Sequence, residues 1–179
     1  MSRPCRGPSP GGVRIAQMRA TTFTVRAPGP GRLSTMARPR GGDWLEDEMA
    51  SLRQAGADVL VCMLTVPEMR ELDLTEEAAT AEAAGMRFIG LPTPDRGTPD
   101  LQQFRALVAE IAADLENGQH VVVHCRMGIG RSSLVVAGVL IAQGMPPSDA
   151  WARISDARGL AVPDTPEQRH WLEAAMVFG

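Results

Sequence analysis

Residues 121–140 read Val121-Val122-Val123-His124-Cys125-Arg126-Met127-Gly128-Ile129-Gly130-Arg131-Ser132-Ser133-Leu134-Val135-Val136-Ala137-Gly138-Val139-Leu140. An apolar run of strand length ends at a histidine and a cysteine. A short stretch with two glycines follows, and a second apolar run, of helix length, opens at an arginine. A strand this continuously apolar suits a sheet covered on both faces. The order strand, loop, helix predicts that loop N–H groups and the positive end of a helix over 130–143 converge on one small volume.

Further out, the chain alternates between the same two patterns. Phe23–Val25 and Arg32–Met36 read as short strands joined by a Pro/Gly turn. Asp43 is expected to cap a helix over 44–55 that ends at Gly56, with Trp44, Leu45, Met49 and Leu52 forming its core stripe. The run Asp58–Leu64 predicts a second buried strand. Helices over 66–72 and 75–84 follow, the latter capped by Thr75, and then a strand over 86–91 and a loop over 92–97. A long amphipathic helix over 98–116 precedes the deciding stretch, and helices near 148–157 and 165–178 close the chain. Strands alternating with helices predict an α/β domain whose central, mostly parallel sheet is flanked by helices on both faces. Ligands then bind beyond the carboxyl ends of the strands, where His124 and Cys125 lie. Residues 1–20 are rich in Pro, Gly and Arg and read as a flexible extension, leaving 21–179 as one domain. Met18 and Met36 are alternative starts of the native chain.

The chain has 179 residues and a net charge of -3. Without a basic field, nucleic acid is not an expected partner, nor is an anionic membrane surface. No stretch approaches the ~20 apolar residues that cross a bilayer, and no secretory signal is legible. Cys5, Cys62 and Cys125 are too few and too scattered for a disulfide scaffold or a zinc cluster. They suit the reducing cytoplasm, where a reactive thiol persists. His120 and His170 have no partner cluster, so neither a metal nor another cofactor is expected.

The chemistry follows from the loop. A thiol beside an arginine and a helix N-terminus ionises readily, with a pKa of roughly 3.5–7.5 in such settings. That makes Cys125 a nucleophile. Arg131 carries the fork that grips two oxygens of a tetrahedral oxyanion. Gly128 and Gly130 let the backbone curl so that the N–H groups of Arg126, Met127, Gly128, Ile129, Gly130 and Arg131 can face a bound phosphate. Ser132 can donate to the Cys125 sulfur and help it leave, while His124 orients the loop through its ring nitrogens. An acid must protonate the departing oxygen. Asp95, in the loop Pro92-Thr93-Pro94-Asp95-Arg96-Gly97, is the first candidate. Asp100 is the rival, and its place in the first turn of the next helix favours helix stabilisation instead. The same Asp95 would take the proton of the water that hydrolyses the cysteinyl-phosphate.

HCRMGIGRSS resembles the His-Cys-x5-Arg-Ser/Thr signature of the protein tyrosine phosphatase superfamily. Arg38-Pro39-Arg40-Gly41-Gly42-Asp43-Trp44-Leu45, Leu91–Pro99 and Val162–Gln168 are similar to the small dual-specificity branch, near the cyclin-dependent kinase inhibitor 3-like phosphatases and bacterial relatives. The resemblance spans residue 21 to the C-terminus. It implies a cysteine phosphatase fold, a cysteinyl-phosphate intermediate, and the roles given above to Cys125, Arg131, Asp95 and Ser132. Gln168 either positions the attacking water, as a glutamine does in some relatives, or packs the last helix. Ser133 stands where relatives often carry glycine.

The implied substrate is a phosphorylated protein, with phosphotyrosine first and phosphoserine or phosphothreonine beside it. The alternatives are a small phosphorylated metabolite, a phosphoinositide, or a phosphate-binding module without turnover. Lipid-directed relatives tend to carry several lysines in this loop. Here Arg126 is the only cation besides Arg131. Arg96 and Arg126 flank the mouth and could meet acidic substrates. Cys62 reads either as a small buried residue or as a redox partner able to form a protective disulfide with Cys125.

Overall fold

The computed structural model describes residues 21–177. The expected extension over 1–20, with Cys5 and Met18, lies outside the described residues. Five strands form one sheet: β1 (Thr22–Val25), β2 (Arg32–Ala37), β3 (Val59–Cys62), β4 (Arg87–Gly90) and β5 (His120–Cys125). Their order is β1-β2-β5-β3-β4, with the β2–β5, β5–β3 and β3–β4 pairs parallel and only β1–β2 antiparallel. The strand carrying Cys125 is central, and all six of its residues are buried. A central parallel strand has no solvent face, so its side chains need not alternate in polarity.

Helices α1 (Leu45–Gln54), α2 (Val66–Glu71) and α3 (Glu77–Ala83) belong with one face of the sheet. Leu45, Met49 and Leu52 of α1 pack there against Leu60, Cys62 and Val122. Helices α4 (Leu101–Glu116), α5 (Arg131–Ala142), α6 (Pro147–Arg158) and α7 (Pro166–Val177) cover the other face. Phe104, Leu107, Val108 and Ile111 of α4 and Trp151 of α6 pack there with Val121, Val123 and Cys125. Side chains alternate along a strand. His124 and Cys125 therefore face opposite sides of the sheet.

Helix α5 is enclosed, with every residue from Arg131 to Leu140 buried. Gly138 permits this. A methyl group there would lie 2.6 Å from Phe104 Cζ on α4. Asp100 caps α4 by accepting the N–H of Gln103 at 2.9 Å, as its position in the sequence suggests.

Three local expectations are corrected. Asp43 does not cap α1: it sits in a 3₁₀ turn over Gly42–Trp44, and the helix starts at Leu45 without a side-chain cap. That turn winds at three residues per turn rather than 3.6, which takes Trp44 off the core stripe. Trp44 is 55% exposed, with the Arg40 guanidinium 4.5 Å from its ring centroid. Thr75 does not cap α3, which starts at Glu77 behind Glu76. A capping box appears one helix earlier, where the Thr65 N–H and hydroxyl both donate to Glu68 Oε2 at 2.9 Å.

Candidate active site

Cys125 ends β5 and is only 3% exposed. The chain then turns through 126–130 before Arg131 begins α5. Gly128 is required there twice over. Its φ is +68°, and an added Cβ would lie 2.4 Å from the Met36 carbonyl oxygen on β2. Gly130 serves differently from the expectation. Its φ of -88° needs no glycine, but a Cβ there would strike Asp164 and Gln168. The curl therefore rests on Gly128, and close approach explains Gly130.

The Gly128 N–H donates to Cys125 Sγ at 3.2 Å, and the Ser132 hydroxyl oxygen lies 3.5 Å from the same sulfur. Burial by itself pushes the Cys125 thiol up. The Ser132 hydroxyl and N–H, the Arg131 charge and the Gly128 N–H outweigh it and hold the thiol below its ordinary value. Met127 is 61% exposed, Ile129 rests on the core, and Ser133 is buried in the first turn of α5.

Arg131 is 2% exposed and fixed from several directions. Its two terminal nitrogens reach Glu68 Oε2 and Oε1 at 2.8 and 2.9 Å, a bidentate pair. It also donates to the Thr93 carbonyl at 2.8 Å and to Asp95 Oδ1 at 3.2 Å. The Arg131 hydrogen bonds hold Glu68 down from 4.5 to about 2, against the upward push of burial and with help from Thr65. Burial works against the charge of Arg131, but Glu68, Cys125 and Asp95 more than offset it. Glu68 is a site residue the sequence reading missed. Its signal was Thr65-Val66-Pro67-Glu68 directly after a parallel strand, a capping box whose carboxylate serves the arginine as well.

Asp95 is 64% exposed at the tip of the 92–97 loop, on the open side of the pocket. Gln168 is fully buried and ties that loop down, its Nε2 donating to the Gly97 carbonyl at 3.0 Å. Asp164, also missed, lies against Gly130 at the entry to α7. Burial first, and then Asp95, push its carboxyl above the ordinary value, while Arg96 and Arg131 pull it back.

Two expected members depart from expectation. The His124 ring lies on the far face of the sheet, with Nε2 3.0 Å from Glu77 Oε1 and both residues fully buried. It takes no part in the pocket lining and can influence the loop only through the strand. Arg126 does flank the mouth, but both its terminal nitrogens are taken by Glu71, at 2.6 and 3.2 Å. Its side chain is thus committed to an exposed ion pair rather than held free for substrate. Cys62 pairs with His124 in the β3–β5 register and packs in the core opposite to that of Cys125. The sheet separates the two sulfurs, which removes the disulfide reading. Among the described residues, one His/Cys/Asp/Glu group has donor atoms close enough to share a metal: Cys62, Glu77 and His124, sealed on that far face.

The model of a family described as "Polymorphic toxin system, DSP-PTPase phosphatase" matches residues 34–145. Cyclin-dependent kinase inhibitor 3 of Rattus norvegicus is 35% identical over 83 residues, 45% of this chain and 39% of that protein. Laforin of Mus musculus is 44% identical over 57 residues, 31% of this chain and 17% of laforin. The chain thus spans well under half the length of these curated relatives. Among solved structures, kinase-associated phosphatase with its catalytic cysteine replaced by serine superposes with a TM-score of 0.77 at 21% identity, covering 87% of this chain and 93% of that one. PTPMT1 superposes with a TM-score of 0.67 at 26% identity, covering 80% and 88%.

Proposed function

The chain belongs to the polymorphic toxin system DSP-PTPase phosphatase family, and from that premise we propose that it hydrolyses phosphate monoesters through a cysteinyl-phosphate. The observation that carries this reading is the surroundings of Cys125 Sγ: a buried sulfur held below its ordinary thiol value by Ser132, Arg131 and the Gly128 N–H. Among the described residues, no other cysteine has that combination of converging donors.

The steps follow from the geometry. The loop N–H groups and Arg131 hold the phosphate with its phosphorus over Cys125. The thiolate attacks phosphorus and the ester P–O bond breaks. Asp95, on the open side, passes its proton to the departing oxygen. Water then attacks phosphorus, the S–P bond breaks, and the electron pair returns to Cys125, where the Ser132 hydroxyl stabilises it. Glu68 does not touch the phosphate. It fixes the plane of the Arg131 fork, so little rotamer freedom is lost when substrate arrives.

The proposed substrate is a phosphorylated protein, phosphotyrosine first, in the cytoplasm where Cys125 stays reduced. Phosphoinositides and small metabolites are the second reading. PTPMT1 has been solved with PI(5)P bound, at 24% identity to this chain. Against lipid, Arg126 is already paired with Glu71. No described helix is long and apolar enough to cross a membrane.

The test is phosphate release from p-nitrophenyl phosphate in EDTA by wild type, Cys125→Ser and Asp95→Asn, followed by a panel of phosphopeptides, phosphoinositides and sugar phosphates. EDTA-resistant turnover that Cys125→Ser removes supports the reading. Full activity in Cys125→Ser sinks it, and phosphopeptide retention without release would indicate a binding module.

A further inference from the structure

The N–H that reaches Cys125 Sγ at 3.2 Å comes from the peptide between Met127 and Gly128. A trans peptide points its C=O and its N–H in opposite directions, so the plane of that peptide decides whether the N–H meets the sulfur. The two residues it joins do little to hold it. Met127 is 61% exposed. Gly128 must be glycine because of the nearby Met36 carbonyl, and glycine adopts φ of either sign about equally well. The close approach that demands a glycine thus also removes the steric bar to a flip of the plane.

The bar is supplied from outside the loop. Arg158, the last residue of α6, donates from Nη2 to the Met127 carbonyl at 3.1 Å. Its Cζ lies 3.9 Å from the ring centroid of Phe23 on β1, and Arg153 of the same helix donates to the Arg26 carbonyl at 2.9 Å, just past that strand. The guanidinium is therefore seated on the edge of the sheet while it grips the loop. Nε and Nη1 of Arg158 are buried without a hydrogen-bond partner. Bare buried donors cost stability, and an arginine kept only to offset the negative end of α6 would do so better in solvent. Burial lowers the Arg158 guanidinium from its ordinary value, and the charge of Cys125 partly restores it. Positive charge therefore reaches the sulfur from both Arg131 and Arg158.

We propose that Arg158 is a positioning residue of the phosphate loop: through the Met127 carbonyl it locks the 127–128 peptide with its N–H toward Cys125 Sγ and toward a bound phosphate. Arg158 acts through that peptide and not on the phosphate itself. By drawing electron density onto the carbonyl oxygen, the same hydrogen bond makes the N–H on the other side of the plane a better donor. The effect on turnover rests on the phosphatase reading, whereas the effect on the sulfur does not.

The test uses Arg158→Met, which keeps a long apolar stem beside Phe23 and removes the donor. The pH midpoint for alkylation of Cys125 by iodoacetamide, followed at that residue by mass spectrometry, should rise. Vanadate binding and kcat/KM for p-nitrophenyl phosphate should each weaken by roughly 10-fold, short of the roughly 10²–10³-fold that removing a whole oxyanion donor costs. Arg158→Lys retains a charge and a donor and should recover part of each loss. The urea midpoint of Arg158→Met should hold or rise, because two bare donors leave with the side chain. Phe23→Leu, which unseats the guanidinium, should move the alkylation midpoint the same way by less. An unchanged alkylation midpoint in Arg158→Met overturns the assignment, as does a loss of activity that merely tracks a lower urea midpoint. Failure of the phosphatase reading itself would look different: wild type would release no phosphate, while the alkylation midpoint would still rise in Arg158→Met.

Discussion

His124 and Cys125 are consecutive residues, yet each anchors a cluster on its own side of the sheet, and the clusters share an inventory. Each has a cysteine, a carboxylate and a cationic group within a few ångströms. Behind the sheet, Cys62, Glu77 and His124 bring their donor atoms within 4.8 Å of one another, and all three are fully buried. In front, Cys125 and Arg131 are also buried, but the Glu68 side chain is 12% exposed, Asp95 opens to solvent and the Gly128 N–H points at the sulfur. The rear cluster has charge without access. Burial disfavours the imidazolium there, but Glu77 and Cys62 prevail and hold His124 well above its ordinary value, which makes an internal ion pair. What separates a reactive site from a structural one here is therefore an entrance and a set of backbone donors rather than the residue types.

Substitutions can break or sharpen that contrast, and the largest effect belongs to the front. Cys125→Ser should lower kcat by roughly 10⁴-fold or more, whereas Cys62→Ser should leave kcat nearly intact and cost stability instead. Steady-state assays paired with urea titrations decide it, and comparable losses of kcat would erase the distinction. Next, Glu77→Gln should destabilise the fold by about 3–5 kcal/mol, because one partner of a buried pair is left alone. Its kcat per folded molecule should still stay within about fivefold of wild type, as the change is remote from substrate.

The pH dependence of stability sharpens the contrast further. Glu68 is depressed in the folded state, so its contribution is complete above 4.5 and fades as pH falls toward about 2. His124 is raised, so its contribution is complete below 6.5 and is lost as pH climbs through its folded value. The front should thus yield to acid and the rear to alkali. Denaturation midpoints across pH should lose the acid limb in Glu68→Gln and the alkaline limb in Glu77→Gln. A smaller shift is expected for the sulfur. Ser132→Ala removes a hydroxyl that favours the thiolate, so the pH midpoint for alkylation of Cys125 should rise. Smallest of all, Arg126→Ala breaks only an exposed pair and should change kcat/KM by about threefold or less.

The sheet, its parallel order and the Cys125–Arg131 loop were legible because continuous apolar runs and one short motif are local signals. Asp95 was legible as the acidic residue of a loop following a parallel strand. The rest depended on contacts between segments distant in sequence. Glu68 reaches Arg131 across 63 residues, and only a helix-capping pattern marked it. Which face each neighbour of the motif takes depends on register, so the His124 ring was expected to orient the loop when it stands behind the sheet. Trp44 and Asp43 were misplaced because a 3₁₀ turn, invisible to a 3.6-residue periodicity, shifts the start of the helix. Gly130 was read as part of the backbone curl because composition cannot separate a glycine needed for its backbone angle from one needed for the neighbours it admits.

Helix α5 is closed in on every side, with ten consecutive buried residues from Arg131 to Leu140 and a glycine pressed against α4. A surface helix offers evolution a free margin, since every third or fourth position is a stripe and the others can drift. The spindle of this fold has no such margin. In a saturation-mutagenesis map, α4 should appear as a ladder of sensitive and indifferent rungs, and α5 as one unbroken band. Innovation in substrate choice is therefore left to the exposed rim of the loop, at positions such as Met127, where the chain can vary without disturbing the axle on which Arg131 is mounted.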